Sequence, residues 1–191
     1  METKLEQTKN TTPNLIRVVL YGPESTYKTA LAKALARHYN TFFVMEFSRT
    51  YAEAKAKLNL RLNRDDVIKI AEGQIKAENE QAERANKLLI CDTDLLVTLV
   101  YSQHYYDGFY PEDLKHYAYQ NQYDYYFLSY IDVAWEADGI RDEPFNRKDM
   151  FDKFEAELVK AKKPYTIIKG AFEERLQTCI EKIDTLLKNK P

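Results

Sequence analysis

Three residues near the start of the chain have the types and spacing of a phosphate-binding loop. Gly22, Lys28 and Thr29 fit the pattern G-x-x-x-x-G-K-[ST], and Tyr27 stands where the pattern has its second glycine. Backbone N–H groups of such a loop, and of the helix that follows, face a phosphate. The lysine reaches the outer phosphates and the threonine hydroxyl holds Mg²⁺. These residues therefore predict a site for a nucleoside triphosphate.

The segments on either side of this loop are those that the pattern requires. Ile16 to Leu20 reads as an apolar, β-branched strand, and an Ala/Leu-rich helix runs to His38. The alternative is an ordinary strand-to-helix connection that carries a chance Gly and Lys-Thr. Tyr27 is the departure: if its position requires a positive φ, a bulky residue there costs about 1–2 kcal/mol.

Polar residues follow each of the predicted strands. The next apolar runs after the first strand are 41–47, 88–92, 125–130 and 165–169, and helix-forming segments separate them. Alternating strands and helices predict a parallel sheet with helices on both faces. Right-handed crossovers bring the carboxyl ends of all strands to one edge, where ligands bind in such folds. The residues expected at that edge are Gly22–Thr29, Glu46, Arg49, Asp92, Asp94, 132–141 and 170–175.

Two acidic positions at this edge each allow a functional and a structural interpretation. Asp92 ends an apolar strand and is placed to bind Mg²⁺ opposite Thr29, although an acid here also suits a helix cap, as do Thr93 and Asp94. Glu46 would either pair with Arg49 or hydrogen-bond to a substrate hydroxyl and accept its proton.

The charged segment 132–144 contains the only tryptophan, Trp135, together with Asp138, Gly139 and Arg141. An arginine on a mobile loop can close over phosphates and neutralise the charge that develops during phosphoryl transfer. The alternative is a solvated, charged loop. Arg147, at the start of the next helix, is ambiguous for the same reason.

Length and composition limit the classes of protein. The 191 residues predict one domain over 15–191 after a flexible tail over 1–14. A net charge of −2 argues against nucleic acid or an anionic membrane as a partner, and the ten tyrosines of 101–130 are expected to pack in the core or at its rim. The sequence has two distant cysteines, no apolar run of about 18–20 residues and no signal peptide. We therefore expect a cytoplasmic protein that does not enter a membrane.

Other chemistries have little support in the chain. The three histidines have no metal-ligand spacing with the cysteines. The sequence has no G-x-S-x-G element of a hydrolase, and no G-x-G-x-x-G follows the first strand.

With these residues in view, the chain resembles the ribosylnicotinamide kinase domain of the NadR-type NAD-salvage proteins, a P-loop NTPase and AAA-like ATPase group. The resemblance extends from about Arg17 to Leu187. It rests on the ordered set of the phosphate loop, Glu46-Phe-Ser-Arg49, Gln74, Cys91-Asp92-Thr93-Asp94 and Trp135-Glu-Ala-Asp138-Gly139-Ile-Arg141.

The resemblance implies an α/β fold of the nucleoside/nucleotide-kinase type: a five-stranded parallel sheet sandwiched by helices, with a lid after strand four. It implies ATP-dependent phosphorylation of the ribose 5′-hydroxyl of nicotinamide riboside to nicotinamide mononucleotide, with Mg²⁺. The implied ATP-binding residues are Gly22, Glu24, Ser25, Thr26, Tyr27, Lys28, Thr29 and Ala30.

The same resemblance assigns the remaining residues of the site. Thr29 and Asp92 would serve Mg²⁺, and Arg141 would close on the phosphates. The substrate would be bound by Glu46, Arg49, Gln74, Asp94, Trp135 and Asp138. Either Glu46 or Asp94 would act as the catalytic base, and the residues leave that choice open.

Two departures from the family keep other functions open. Tyr27 replaces the loop glycine, so a nucleotide-binding regulator with weak or lost kinase activity is one alternative, and a kinase for another nucleoside or metabolite is the other. The chain is also expected to lack the adenylyltransferase and DNA-binding domains of the larger members. The sequence leaves open whether the protein forms a homo-oligomer.

Overall fold

The computed structural model has a five-stranded, all-parallel sheet at its centre and describes residues 5–8, 14–138 and 145–190. The strands are β1 (Ile16–Tyr21), β2 (Phe42–Val44), β3 (Leu88–Asp92), β4 (Tyr125–Ser129) and β5 (Tyr165–Ile168). The helices are α1 (Lys28–His38), α2 (Phe47–Lys57), α3 (Arg64–Arg84), α4 (Leu95–Tyr105), α5 (Glu112–Gln120), α6 (Arg147–Lys160) and α7 (Phe172–Asn189). Across the sheet the order is β2-β3-β1-β4-β5.

The central position of β1 follows from its composition. Every residue of β1 and of β3 is buried, as expected of apolar strands covered on both faces. Leu20 pairs with Asp92, so the carboxyl ends of β1 and β3 lie side by side. The predicted convergence of strand ends at one edge is confirmed.

A helical layer covers each face of the sheet. On one face, Leu31 and Leu35 of α1 pack with Cys179 and Ile183 of α7. On the other, α3, α4, α5 and α6 supply the larger part of the core. The predicted parallel sheet sandwiched by helices is therefore confirmed.

The sequence overestimates the length of the second strand. The predicted run 41–47 shortens to β2, which ends at Val44, and α2 begins at Phe47. The side chain of Gln74 accepts a hydrogen bond from the Phe47 N–H at 2.8 Å, and this contact from α3 holds the start of α2. Glu46 and Arg49 thus lie at the start of a helix rather than at the end of a strand.

Residues 5–8 differ from the predicted loose tail because they pack against the body of the protein. Leu5 is buried, and Gln7 donates a hydrogen bond to Glu78 at 2.7 Å. Glu78 is itself buried and also accepts from Arg17 at 2.8 Å and from the Tyr123 hydroxyl at 2.7 Å. This network lies at the edge of the sheet opposite the ends of β1 and β3, because Arg17 is near the start of β1.

Nine of the ten tyrosines of 101–130 lie in or against the core, as predicted, whereas Tyr105 is exposed. Tyr126 and Tyr123 are buried, with their rings edge-to-face at 5.5 Å, and most of the others pack around them. Cys91 and Cys179 are buried and free. Among the described residues, no helix combines the length and the apolar composition that a membrane span requires.

Gly73 allows α2 to pack closely against α3, and its replacement should expose this dependence. A Cβ atom at Gly73 would lie 2.1 Å from Cε1 of Phe47. Since the clash is with a ring held between two helices, we expect Gly73→Ala to lower the free energy of unfolding by about 1–3 kcal/mol, despite alanine's better helix propensity. Urea unfolding measures the change, and Glu83→Ala at an exposed position of α3 is the control, expected within about 0.5 kcal/mol of wild type. Equal stability of Gly73→Ala and wild type would contradict this account of the packing.

Candidate active site

The phosphate loop lies between β1 and α1, with Gly22 at its start. Gly22 has φ +122°, and a Cβ atom there would meet the backbone oxygen of Ser129 at 3.1 Å, so the position requires glycine. Within the loop, the Thr26 hydroxyl donates to the Pro23 carbonyl at 2.7 Å, and Lys28 Nζ donates to the same oxygen at 2.5 Å. The lysine thus folds back over its own loop.

Thr29 and Asp92 meet where β1 and β3 end. The Thr29 hydroxyl donates to Oδ2 of Asp92 at 2.5 Å, while Oδ1 of Asp92 is buried and has no hydrogen-bond partner among the described residues. Burial, and then the negative charge of Glu46, raises the pKa of Asp92 to about 7 against the opposing effects of Thr29, Lys28 and Arg49. A hydroxyl beside a carboxylate with a spare oxygen is a donor set that suits Mg²⁺.

Tyr27 adopts the left-handed conformation that its position in the loop requires, with φ 69° and ψ 6°. Its backbone therefore carries the strain of about 1–2 kcal/mol expected for a non-glycine residue. The ring packs edge-to-face on Phe172 of α7, with the centroids 5.9 Å apart, and the Arg175 guanidinium lies 5.8 Å from its centroid. Tyr27 is 40% exposed.

Glu46 and Arg49 do not form the ion pair that the sequence allowed. Glu46 immediately precedes α2 and accepts a hydrogen bond from the Ser48 hydroxyl at 2.8 Å. Arg49 instead pairs with Asp138, which follows β4, at 2.7 Å between Nη1 and Oδ2. Among the described residues, no arginine is therefore bound directly to the Glu46 carboxylate, which lies at the cleft.

Gln74 is buried in the wall of the cleft, and one side of its amide is unused. Its Oε1 accepts a hydrogen bond from the Phe47 N–H, and its Nε2 group takes no part in that contact. Within the described part of the chain, that Nε2 group has no hydrogen-bond partner although it is buried. A buried donor in this condition is costly unless a ligand accepts from it.

Asp94 caps a helix and is withdrawn from the cleft. Its Oδ1 accepts from the Val97 N–H at 3.2 Å and its Oδ2 from the Tyr126 hydroxyl at 2.8 Å. It is 1% exposed, and burial raises its pKa to about 7. Of the two interpretations of this position, the geometry favours the helix cap over contact with a substrate.

The segment after β4 lies against the phosphate loop. The Trp135 indole donates to Glu24 at 3.2 Å, and the Glu136 N–H donates to the Ser25 hydroxyl at 2.8 Å. Residues 132–138 therefore contact the predicted ATP site directly. Arg141 and Gly139 lie outside the described residues, so the predicted role of Arg141 stays a prediction.

One cleft of about 1010 Å³ joins these features. On one side it is lined by the phosphate loop from Glu24 to Ala30, and on the other by Glu46, Arg49 and Gln74. Its far wall is aromatic and apolar: Leu60, Leu62, Val67, Ile70, Val97, Tyr101, Tyr105 and Tyr106. A ligand with a charged end and an aromatic or apolar end would fit such a cleft.

Comparison with known proteins agrees with this geometry. Residues 17–175 match the family model described as an AAA domain. The chain belongs to this AAA domain family. Comparison with curated protein sequences gave no match.

Solved structures similar to this AAA domain include two of NadR protein. One, in complex with NR, has TM-score 0.77 at 22% identity, and the match covers 92% of this chain and 52% of that one. The other, in complex with NAD and AMP-PNP, has TM-score 0.73 at 22% identity and covers 92% and 50%. The chain thus spans about half the length of these NadR chains.

A third similar structure is a deoxyadenosine kinase from M. mycoides, with products bound. Its TM-score is 0.62 at 12% identity, and the match covers 89% of this chain and 100% of that one. The fold of this AAA domain is therefore that of P-loop nucleoside and nucleotide kinases.

The sequence leaves Arg147 ambiguous, and it places 170–175 at the ligand edge without giving Arg175 a role of its own. Arg147 donates to the Val133 carbonyl at 2.6 Å and to the Ser25 carbonyl at 3.3 Å, which brings it to the phosphate loop. Arg175 is fully buried, where it binds the Gly170 carbonyl at 2.8 Å and pairs with Asp132. The contacts of Arg147 with Ser25 and of Arg175 with Asp132 join segments distant in the chain, so no local sequence pattern predicts them.

Proposed function

We propose that this protein transfers the γ-phosphoryl group of ATP to the ribose 5′-hydroxyl of nicotinamide riboside and so forms nicotinamide mononucleotide. The observation that carries the proposal is a cleft in which the phosphate loop faces Glu46 and Gln74. Donor and acceptor would share this cleft, as an in-line transfer requires. The similar fold of NadR protein in complex with NR (nicotinamide riboside) supports this choice of acceptor.

In this proposal the loop residues from Gly22 to Ala30 bind the ATP phosphates. Lys28 would leave the Pro23 carbonyl for the outer phosphates, and Thr29 with Asp92 would hold Mg²⁺. When bound, Mg²⁺ neutralises charge on the phosphates. The proposed roles of Trp135, Asp138 and Arg49 are to join the segment after β4 to the loop and to α2.

Glu46 is our candidate for the general base. The 5′-oxygen forms a bond to the γ-phosphorus, the bond from that phosphorus to the bridging oxygen of ADP breaks, and the hydroxyl proton passes to the Glu46 carboxylate. The Nε2 group of Gln74, which has no partner among the described residues, would donate to an oxygen of the nucleoside. Asp94 would support α4 rather than the transfer.

The direct test incubates the purified protein with ATP and Mg²⁺, with and without nicotinamide riboside, and measures ADP and the mononucleotide. We expect riboside-dependent formation of both products in equal amounts. Parallel reactions with deoxyadenosine and thymidine test the alternative of another acceptor. ADP release with either of these and none with the riboside would overturn the assignment of the acceptor while keeping the kinase.

Substitution of the two carboxylates separates their roles. We expect Glu46→Gln to lower kcat by about 10²-fold or more, because the hydroxyl proton loses its acceptor. Asp94→Asn is the matched control: asparagine also caps helices and its oxygen still accepts a hydrogen bond, so kcat should stay within a few-fold of wild type. Full activity in Glu46→Gln together with loss in Asp94→Asn would reverse the assignment.

The strained Tyr27 favours one further candidate, a nucleotide-binding regulator with little chemistry. That function predicts ATP binding without product, and a large gain of kinase activity in Tyr27→Gly. The proposed kinase predicts no such gain, since the wild-type loop already has the required backbone conformation. The riboside assay on both proteins distinguishes the two functions.

A further inference from the structure

The ring of Tyr27 has no role in the proposed phosphoryl transfer, although it lies beside the phosphate loop. It is half-exposed beside the phosphate loop, and its neighbours Phe172 and Arg175 both belong to α7, which follows β5. Arg175 is fixed by hydrogen bonds to the carbonyls of Gly170 and Tyr130. The ring is thus held by a rigid support although its backbone is strained.

The strand order shows which part of a bound nucleotide would be near this ring. The acceptor residues Glu46, Arg49 and Gln74 belong to the segments that follow β2 and precede β3, on one side of β1. A terminal phosphate aimed at that side requires the nucleoside of the donor to leave the loop on the other side. The other side is formed by the segments after β4 and β5, where Tyr27 meets Phe172.

We infer that the Tyr27 ring, supported by Phe172 and Arg175, is a stacking surface for the nucleoside of the donor triphosphate. Aromatic side chains stack on any nucleobase because every base has a π-face. Binding through this surface would be tolerant of the base, so ATP and GTP would gain from it alike. The inference rests on the nucleotide binding of the proposed function and adds the residue that binds the nucleoside.

The test compares Mg·ATP and Mg·GTP with Mg·tripolyphosphate, which has the phosphates without the nucleoside. Calorimetry gives the three dissociation constants for wild type, Tyr27→Leu and Tyr27→Phe. Leucine keeps a side chain at the strained position and removes the ring, whereas phenylalanine keeps the ring. We expect Tyr27→Leu to weaken ATP and GTP by about tenfold or more and to leave tripolyphosphate unchanged. Tyr27→Phe should bind all three as wild type does.

A substitution outside the phosphate loop tests the stacking role without changing the strained backbone at Tyr27. Phe172→Leu leaves Tyr27 in place and removes the edge contact, so it should weaken ATP relative to tripolyphosphate by a smaller factor than Tyr27→Leu. Thermal unfolding of each variant without nucleotide checks that the variant folds. If Tyr27→Leu does not fold, the comparison of ATP with tripolyphosphate is made with Phe172→Leu.

The outcomes separate this inference from the proposed function. Equal loss of ATP and tripolyphosphate, or no loss of either, would overturn the stacking role and leave the kinase standing. A selective loss of ATP and GTP would support the stacking role even if nicotinamide riboside were not phosphorylated. Failure of the wild type to bind ATP would overturn both.

Discussion

Lys28→Ala is expected to lower phosphoryl transfer by at least about 10³-fold while the protein stays folded. The lysine is the cation of the loop that reaches the outer phosphates, and without it the charge that develops on the transferred group has lost a main source of stabilisation. The stability of the free protein should change little, because Lys28 Nζ donates to the Pro23 carbonyl of its own loop, a short-range contact. The riboside assay and thermal unfolding measure the two effects.

Arg37→Ala is the control for Lys28→Ala, since Arg37 is exposed in the last turn of the same helix. It removes one positive charge and should keep activity within a few-fold of wild type. ATP should raise the melting temperature of wild type and of Arg37→Ala but much less that of Lys28→Ala. Full activity of Lys28→Ala would refute the proposed transfer.

Asp92→Asn is expected to change activity and stability in opposite directions. Activity with Mg²⁺ should fall by about 10³-fold, because a carboxylate that holds the ion is replaced by a neutral amide. The free protein should become more stable, since Asp92 is buried close to the negative charge of Glu46 and one of its oxygens has no partner among the described residues. A purely structural carboxylate would show the reverse pattern, with loss of stability and retained activity.

The assay for Asp92→Asn is a Mg²⁺ titration of kinase activity, accompanied by thermal unfolding without metal. Asp152→Asn, at an exposed acidic position of α6, is the control and should change neither quantity appreciably. Asp92→Asn with wild-type activity at the same Mg²⁺ concentration would contradict the assignment of this carboxylate to the ion.

The fold and the centre of the site could be predicted because their signals are local. The phosphate loop is one continuous stretch, and the apolar run that ends at Asp92 places its carboxylate beside Thr29 as soon as β1 and β3 pair. The parallel sheet follows from alternating strands and helices. Short-range sequence patterns and the right-handed crossover rule are enough to predict these features.

The contacts that the sequence could not supply are those between distant segments. The sequence offers Glu46, three residues away, as one possible partner of Arg49, yet Arg49 pairs with Asp138, 89 positions further along the chain. Gln7 belongs to the predicted polar tail, and its buried partner, Glu78, lies 71 positions away in α3. Asp94 could cap a helix or face a ligand, and the hydrogen bonds from the Val97 N–H and the Tyr126 hydroxyl favour the cap.

Trp135 makes the phosphate loop observable without any label. It is the only tryptophan of the chain, and its indole N–H is bound to Glu24 of the loop. Its emission therefore comes from one place in the molecule, and a change in the environment of Glu24 changes the surroundings of the fluorophore. The intrinsic fluorescence of the wild-type protein should report nucleotide binding in real time, so that the rate constants of ATP association and ADP release become accessible by stopped flow.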